Sequence, residues 1–220
     1  MKLARFNNQP EIFYSIQGEG KRAGAPSIFV RLALCNLQCV WCDTEYTWNW
    51  EKFDKEKEVI EIAVEEAAKA IRKFSCKNIV LTGGEPMLQQ KELILLMEVL
   101  KPLGYFFEVE TNGTIPPLPE FDRLIDQYSC SPKQALSDFF PKSSKAVFKF
   151  VMEKPSDFSP TLSLVEKHQI AREKVYLMPE GRTSRALKEK QGWVAALCQE
   201  AGFRFSDRLH IHLFGDRRAT

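Results

Sequence analysis

The chain of 220 residues has the composition of a globular protein, with 44% hydrophobic and 27% charged residues. Its formal net charge is only +2 and its Lys and Arg residues are dispersed, which argues against a surface for nucleic acid. No segment has the apolar length of a membrane span or the apolar core of a secretory signal. We therefore expect a cytoplasmic protein that binds neither nucleic acid nor membrane.

Short apolar runs alternate with segments of helical periodicity along the chain. In chain order, we predict strands at residues 27–34, 78–82, 105–109, 127–130, 146–152, 174–178 and 203–214, and helices at 56–74, 88–100, 161–168 and 184–201. Strands that alternate with helices pair in parallel through right-handed crossovers. No stretch looks like a linker between domains. We predict one α/β domain over residues 1–220, a partial β/α barrel with a parallel sheet.

Three of the six cysteines lie in a short loop after the first predicted strand. Cys35, Cys39 and Cys42 have the spacing C-x3-C-x2-C. Three thiolates from one loop can hold three irons of a 4Fe-4S cluster and leave the fourth iron open to a small-molecule ligand. The alternative, a structural zinc site, needs a fourth ligand in a second closely spaced pair, and the sequence offers no such pair.

A second motif, Thr82-Gly83-Gly84-Glu85-Pro86, follows the next predicted strand. The glycines allow the backbone to come close to a ligand, and Glu85 offers an acceptor for an ammonium group. Alone, the motif is equally compatible with an ordinary turn between a strand and a helix. Together with the cysteine loop it resembles the radical S-adenosylmethionine (SAM) superfamily, in which the amino acid end of SAM binds the open iron.

Further segments narrow this resemblance: residues 11–20 (EIFYSIQGEG), Gly24, Pro26, Phe29, Arg31, residues 42–44 (CDT), 110–114 (ETNGT) and 131–133 (SPK). With them, essentially the whole chain resembles the 7-carboxy-7-deazaguanine synthase family of queuosine precursor biosynthesis. The resemblance implies a carbon–nitrogen lyase that converts 6-carboxy-5,6,7,8-tetrahydropterin to 7-carboxy-7-deazaguanine with loss of ammonia. It also implies one 4Fe-4S cluster per chain, SAM, Mg²⁺, a flavodoxin- or ferredoxin-type electron donor and a homodimer.

The resemblance assigns a role to individual residues and names none as a catalytic acid or base, because the radical is generated on SAM. It implies that the 4Fe-4S ligands are Cys35, Cys39 and Cys42, and that the Mg²⁺ ligand is Thr44. It implies SAM contacts at Trp41, Asp43, Gly84, Glu85, Asn112, Ser131, Pro132, Lys133, Met178, Pro179, Glu180 and Gly181. It implies substrate contacts at Ile16, Gln17, Gly18, Glu19, Arg31, Thr82 and Thr220.

Some of these residues have simpler interpretations. Arg31 interrupts an apolar strand, which favours a buried role such as binding a carboxylate over a surface charge. Thr44 follows an Asp in a loop, and by itself that position is typical of a helix cap. His210 and His212 alternate in the last predicted strand, which favours a structural role for both.

The sequence also leaves two other functions open. One is an activase that generates a glycyl radical on a partner protein, and the other is an electron carrier with a single cluster. The polar segment from Gln17 to Arg31 favours a small heterocyclic substrate over a folded protein. An electron carrier would form no 5′-deoxyadenosine from SAM, which separates it from both enzymes.

Overall fold

The computed structural model describes residues 1–133 and 135–220. The strands are β1 Lys2–Phe6, β2 Gln9–Pro10, β3 Ile12–Ile16, β4 Pro26–Leu32, β5 Val59–Glu61, β6 Asn78–Gly83, β7 Phe106–Thr111, β8 Gln127–Cys130, β9 Ala146–Met152, β10 Val175–Pro179 and β11 Arg204–Phe205. The α-helices are α1 Lys55–Glu58, α2 Val64–Ile71, α3 Gln90–Leu100, α4 Pro119–Leu124, α5 Phe139–Lys142, α6 Phe158–Lys167, α7 Ser184–Ala201 and α8 Leu209–Phe214. Within those two ranges, every helix is too short or too polar to traverse a lipid bilayer.

The strands form one sheet whose larger part is parallel. β4, β6, β7, β8, β9, β10 and β11 lie side by side in that order, and each neighbouring pair is parallel. β1 and β3 pair with β4 in antiparallel fashion, and β1 also pairs with β2 and β5. The sheet path runs from β11 to β2 without closing into a ring over the described residues. The predicted partial β/α barrel is confirmed, with an antiparallel N-terminal extension that the sequence analysis missed.

Successive residues of each parallel strand point to opposite faces of the sheet. The outer face packs against α2, α3, α4, α6 and α7 and is apolar; it includes Ile28, Val30, Ile79, Leu81, Phe107, Val109, Tyr128, Phe148 and Phe150. The intervening residues form the inner face and are largely polar; they include Phe29, Arg31, Thr82, Glu108, Glu110, Ser129, Lys149 and Val151. The outer face is the main apolar core, and the inner face supplies one wall of the site described below.

Two element predictions are wrong, and tertiary pairing explains both. Residues 56–74 are not one helix, because Val59–Glu61 form β5 and pair with β1 through Leu3 and Ile60. Residues 203–214 are not one strand. β11 pairs with β10, which ends at Pro179, and proline has no N–H with which to continue the ladder. The chain then turns into α8. The other predicted elements exist, with ends shifted by a few residues.

Candidate active site

A pocket opens at the edge of the sheet where the parallel strands end. The carboxyl ends of parallel strands share one edge, so the loops that follow them converge there. All residues predicted to bind the cluster, Mg²⁺ or the substrate line this pocket. Of the residues predicted to contact SAM, Trp41, Asp43, Gly84, Asn112, Ser131, Lys133, Met178 and Glu180 line it, whereas Glu85, Pro132, Pro179 and Gly181 do not.

The loop after β4 brings the three motif cysteines to the pocket as free, partly exposed thiols. The backbone N–H of Leu37 donates to Cys35 Sγ at 3.4 Å. The indole N–H of Trp48 donates to Cys42 Sγ at 3.3 Å. Burial raises the pKa of Cys35 to about 11 and also raises the pKa of Cys39. Without a bound cation, therefore, Cys35 and Cys39 favour the protonated thiol.

This donor set fits an iron–sulfur cube. In the described ranges, no three His, Cys, Asp or Glu side chains converge on a single ion. A cube does not require them to do so, because each thiolate binds a different iron. The N–H groups directed at two of the sulfurs are of the kind that stabilises cluster thiolates. Cys35, Cys39 and Cys42 are therefore suited to hold the cluster.

Gly83 and Gly84 are required by contacts with the strand that leads into the cysteine loop. Gly83 has φ +117°, and a Cβ there would lie 2.2 Å from the carbonyl oxygen of Leu32. A Cβ on Gly84 would lie 1.9 Å from the carbonyl oxygen of Leu34. The N–H of Gly84 donates to Leu32 O at 2.9 Å, and the N–H of Glu85 donates to Leu34 O at 2.7 Å. The motif thus fixes the entry to the cysteine loop; both glycines also line the pocket, and the close approach of a ligand there stays a prediction.

The carboxylate of Glu85 lies in the protein interior, so its role as an acceptor for an ammonium group stays a prediction. Its side chain is fully buried. It accepts hydrogen bonds from Thr111 Oγ1 at 2.8 Å and from the N–H groups of Asn112 at 2.8 Å and Met87 at 3.0 Å. Burial raises the pKa of Glu85, although these hydrogen bonds oppose the shift. Glu85 therefore ties the loop after β6 to the end of β7.

A cation and an aromatic ring lie together on the cysteine side of the pocket. Lys133 Nζ is 4.1 Å from the centroid of the Trp41 ring and donates to Ser131 Oγ at 2.6 Å. Burial lowers the pKa of Lys133 to about 8, although nearby acidic groups oppose the shift. The arrangement offers a stacking surface and a cation close to the cysteines.

Glu110 joins two of the predicted substrate contacts on the inner face. Its Oε1 accepts from Gln17 Nε2 at 3.1 Å, and its Oε2 accepts from Thr82 Oγ1 at 2.6 Å. Gln17 Oε1 in turn accepts from the N–H of Glu19 at 3.2 Å. An amide, a hydroxyl and a carboxylate thus form one hydrogen-bonded group in the pocket. Such a set can match the donor and acceptor edge of an amino-pyrimidinone.

Charged side chains form an ion cluster beside this group: Lys149 and Arg208 are buried, Glu19 is largely buried, and Asp43 is 40% exposed. Glu19 accepts hydrogen bonds from Lys149 Nζ and, at 2.9 Å, from Arg208 Nε. Arg208 also donates to Asp43 and, at 2.7 Å, to the carbonyl oxygen of Gly181. Burial alone would raise the pKa of Glu19, but attraction to Lys149 and Arg208 outweighs it and holds that pKa far below its usual value. The ion cluster joins the N-terminal segment, the cysteine loop and the residue that precedes α8.

Arg31 lies on the inner face at the end of β4 and lines the pocket. Its Nε donates to Glu11 Oε1 at 2.9 Å, and its guanidinium lies 5.8 Å from the centroid of the Phe13 ring. Over the described ranges, Nε is the only Arg31 side-chain atom with a hydrogen bond to the protein. The two terminal nitrogens are therefore available to bind a carboxylate in bidentate fashion.

Thr44 is at the first turn after the cysteines, but its side chain caps no helix. It precedes a short 3-10 helix, Glu45–Thr47, without making a side-chain cap hydrogen bond. Its hydroxyl lies 3.6 Å from Cys42 Sγ and faces the pocket. The helix-cap interpretation of Thr44 is therefore not supported.

The sequence analysis missed several residues of the pocket lining. Glu110 was quoted only as part of a motif, and Lys149, Arg208 and the aromatic pair Phe13 and Phe29 were not assigned to a site. His210 was predicted to be structural but lies in α8 and lines the pocket. A Cβ on Gly18 would lie 1.9 Å from His210 Nδ1, so the packing of α8 requires a glycine in the N-terminal segment. His212, by contrast, lies outside the pocket and contacts Asp207.

Comparison with known proteins agrees with this geometry. The family model of the radical SAM superfamily matches residues 30–169. The 7-carboxy-7-deazaguanine synthase of Pyrobaculum aerophilum is 40% identical, with 94% of this chain and 95% of that protein covered. The enzyme of the same name from Halobacterium salinarum is 36% identical, with 96% of this chain and 91% of that protein covered.

Solved structures share the fold. A crystal structure of QueE from Escherichia coli has a TM-score of 0.66 and 24% identity, with 95% of each chain covered. A structure of SuiB from Streptococcus suis has a TM-score of 0.56 and 11% identity, with 81% of this chain and 47% of that one covered. Taken with the sequence relatives, these matches show that the chain belongs to the 7-carboxy-7-deazaguanine synthase family of the radical SAM superfamily.

Proposed function

We propose that this enzyme converts 6-carboxy-5,6,7,8-tetrahydropterin to 7-carboxy-7-deazaguanine and releases ammonia. One observation carries the proposal: the cysteine loop and the free guanidinium nitrogens of Arg31 face the same pocket, next to the Gln17, Glu110 and Thr82 group. A pterin carboxylate and a pterin ring edge require those two kinds of partner. The names of the relatives from Pyrobaculum and Halobacterium specify the same product.

The protein's part in the reaction is to bind, orient and shield the reactants. When bound, a reduced 4Fe-4S cluster and SAM supply the radical that removes a hydrogen atom from the substrate. Cys35, Cys39 and Cys42 would hold the cluster, and Lys133 and Trp41 would contact SAM beside it. Fixing the substrate at its carboxylate and at its ring edge limits which hydrogen meets the radical.

Around the proposed substrate position, part of the pocket lining is aromatic and part of it is polar. The rings of Phe13 and Phe29 stack at a centroid distance of 5.2 Å and cover the inner face beside Arg31. An apolar wall excludes water, which strengthens the ion pair between Arg31 and a carboxylate and protects a reactive radical. The Gln17 and Glu110 side chains, which are hydrogen-bonded to each other, would bind the ring edge.

The remaining assignments complete the proposal. Thr44 would contribute one oxygen to Mg²⁺, and substrate oxygens and waters would supply the rest, which makes metal and substrate binding cooperative. Thr220 would contact the substrate from the end of the described chain. We propose that residues 1–220 act as one domain, which the continuous sheet supports. A cytoplasmic homodimer reduced by a flavodoxin or ferredoxin is the setting that the family implies.

The test is anaerobic reconstitution with iron and sulfide, followed by addition of SAM, Mg²⁺, reductant and the carboxypterin. We expect ammonia and 7-carboxy-7-deazaguanine in equal amounts. Chelation of Mg²⁺ should raise the substrate KM. Formation of 5′-deoxyadenosine without the deazaguanine acid would contradict the proposed substrate, and no 5′-deoxyadenosine at all would contradict radical chemistry.

A matched pair of variants tests the role of Arg31. Arg31→Met should raise the KM for the carboxypterin by about 100-fold, because the variant loses a charge-assisted bidentate contact with the carboxylate. Arg204→Met removes an exposed guanidinium on β11, away from the pocket, and should leave KM unchanged. Equal KM values for the two variants would exclude Arg31 as the carboxylate partner.

A further inference from the structure

The carboxylate of Glu11 connects Arg31 to a residue of the C-terminal segment, residues 215–220. Glu11 is 2% exposed, and its side chain is completely buried. Its Oε1 accepts from Arg31 Nε at 2.9 Å and from the Tyr46 hydroxyl at 3.1 Å. Its Oε2 accepts from Arg218 Nη2 at 2.8 Å. Two guanidinium groups therefore share one buried carboxylate, and only one of them lines the pocket described above.

Arg218 is held on several sides at once. Its Nη1 donates to Glu58 at 2.9 Å, and its Nη2 also donates to the carbonyl oxygen of Arg5 at 2.7 Å. Its guanidinium lies 3.6 Å from the centroid of the Tyr46 ring. A planar guanidinium with two carboxylate partners, a carbonyl partner and an aromatic face is a specific anchor. Arg218 therefore fixes the segment that carries Thr220 into the pocket.

The charges around Arg31 depend on this anchor. Glu11 and Glu58 carry two negative charges, and Arg31 and Arg218 carry two positive charges, so the group is neutral. Without Arg218, the same group would carry a net charge of −1 next to the pocket. Glu11 would then pair with Arg31 alone. An incoming carboxylate would meet a guanidinium that is already neutralised and a nearby negative charge.

We propose that Arg218 is a positioning residue for substrate binding, because it takes up half of the Glu11 carboxylate and so leaves the charge of Arg31 available to a substrate carboxylate. This inference rests on the proposed function, since it takes Arg31 as the partner of the carboxypterin. Arg218 does not itself contact the substrate in this scheme. Its effect is transmitted through Glu11.

Equilibrium binding to the reconstituted holoenzyme tests the inference. SAM and Mg²⁺ are present, but reductant is withheld so that no turnover occurs. Calorimetry compares 6-carboxy-5,6,7,8-tetrahydropterin with tetrahydropterin that lacks the carboxylate. Arg218→Gln keeps a donor for the Arg5 carbonyl but removes the charge, and Arg218→Lys restores the charge. Arg217→Ala is the matched control, because Arg217 is exposed and its side chain bonds only the backbone of Phe214 among the described residues; the carbonyl oxygen that accepts from Thr220 Oγ1 is kept in the variant.

For Arg218→Gln, we expect the Kd of the carboxylated pterin to rise about tenfold and the Kd of the plain pterin to change less than twofold. Arg218→Lys should recover at least half of the loss, and Arg217→Ala should match the wild type. Equal weakening of both pterins would show that Arg218 only supports the fold, which overturns the inference. No change for either pterin would also overturn it. A wild type that does not bind the carboxypterin would refute the proposed function first, and with it the inference.

Arg218→Ala provides a second check. Thermal unfolding is measured beside binding, so a loss of fold is recognised as such. A folded Arg218→Ala variant should repeat the selective effect on the carboxylated pterin. If it binds that pterin as tightly as the wild type does, the inference is wrong.

Discussion

The two faces of the sheet are built from the same strands and differ in almost every physical property. Leu81, Phe107 and Phe148 on the outer face are completely buried among apolar side chains. On the inner face, Glu108 and Lys149 are nearly as buried but carry ionisable groups. Adjacent residues of one strand therefore serve stability on one side and chemistry on the other.

We expect the outer face to provide most of the stability and the inner face to contribute little. Burying a charge is unfavourable even when it is paired, because desolvation offsets much of the attraction. Burying an apolar side chain contributes about 1.5–3 kcal/mol. Three of the inner-face charges, Arg31, Glu110 and Lys149, line the pocket. Substitutions on the outer face should therefore change mainly the free energy of unfolding, and substitutions around the pocket should change mainly cluster binding and activity.

The largest effect is expected from removing a cluster ligand. Cys42→Ala should abolish cluster binding and all activity, because two thiolates cannot hold the cube in place of three. The free energy of unfolding of the metal-free protein should change little, since Cys42 is only partly buried and lies outside the apolar core. Iron content, 5′-deoxyadenosine formation and urea unfolding are the measurements.

Cys76→Ala is the control for this change. Cys76 is also a partly buried thiol but lies outside the pocket lining. The Cys76→Ala variant should retain full iron content and turnover. A Cys42→Ala protein with wild-type iron content would refute the assignment of the cluster to this loop.

On the outer face, Phe107→Ala should lower the free energy of unfolding by about 4 kcal/mol, because a completely buried ring leaves a cavity. Iron binding below the reduced melting temperature should remain intact. Leu95→Ala, at an exposed position of α3, should cost less than about 1 kcal/mol. Comparable losses for the two variants would contradict the division between the faces.

At the ion cluster, Glu19→Gln should cost about 3 kcal/mol at pH 7, because Lys149 and Arg208 lose a buried countercharge. The pKa of Glu19 is lowered in the folded state. Its stabilisation is thus present above its unfolded value of 4.5 and is lost as the pH falls below that value. The gap between wild type and variant should narrow as the pH drops from 5 to 3.

Glu45→Gln is the control for the ion cluster, since Glu45 pairs with the exposed Lys52. A solvent-screened pair of this kind contributes about 0.2–1 kcal/mol. A Glu19→Gln loss no larger than the Glu45→Gln loss would show that the ion cluster does not hold the N-terminal segment in place.

The sequence was sufficient to predict the parallel strands and to locate the residues that belong to motifs. Most of the predicted parallel strands are largely apolar, residues 127–130 and 203–214 being the exceptions, and the cysteine loop was located by its spacing alone. The inner face was harder to find, because Glu108 and Lys149 interrupt apolar runs that were assigned to strands without a distinction between their two faces. Alternation with a period of two would have identified both, together with Glu110, as residues of a second face.

Other parts depend on contacts between distant segments. β5 exists because β1 lies beside it, and no local pattern in residues 59–61 requires a strand. The burial of the Glu85 carboxylate depends on Thr111 and Asn112, which lie more than twenty residues further along the chain. Helix α8 lies against Gly18, and nothing in residues 209–214 reveals that partner.

The smallest effect is expected at Glu108, which lies on the inner face but does not line the pocket. Its Oε1 accepts from Ser129 Oγ at 2.5 Å, whereas its Oε2 has no hydrogen-bond partner over residues 1–133 and 135–220. Burial and then repulsion from Glu110 raise its pKa to about 7. Between pH 4.5 and 7 the folded state therefore binds more protons than the unfolded state, so stability falls as the pH rises through that interval.

Glu108→Gln removes this titration while keeping the shape of the side chain. The variant should be more stable than the wild type by about 2 kcal/mol at pH 8.5 and nearly equal to it at pH 5, as measured by urea unfolding. Glu98→Gln, at an exposed position of α3, should show no such dependence. If Glu108→Gln is instead destabilised equally at both pH values, the charge of Glu108 has a partner that contributes to stability. The inner face would then resemble the outer face in supporting the fold, and the contrast between them would be weaker than proposed.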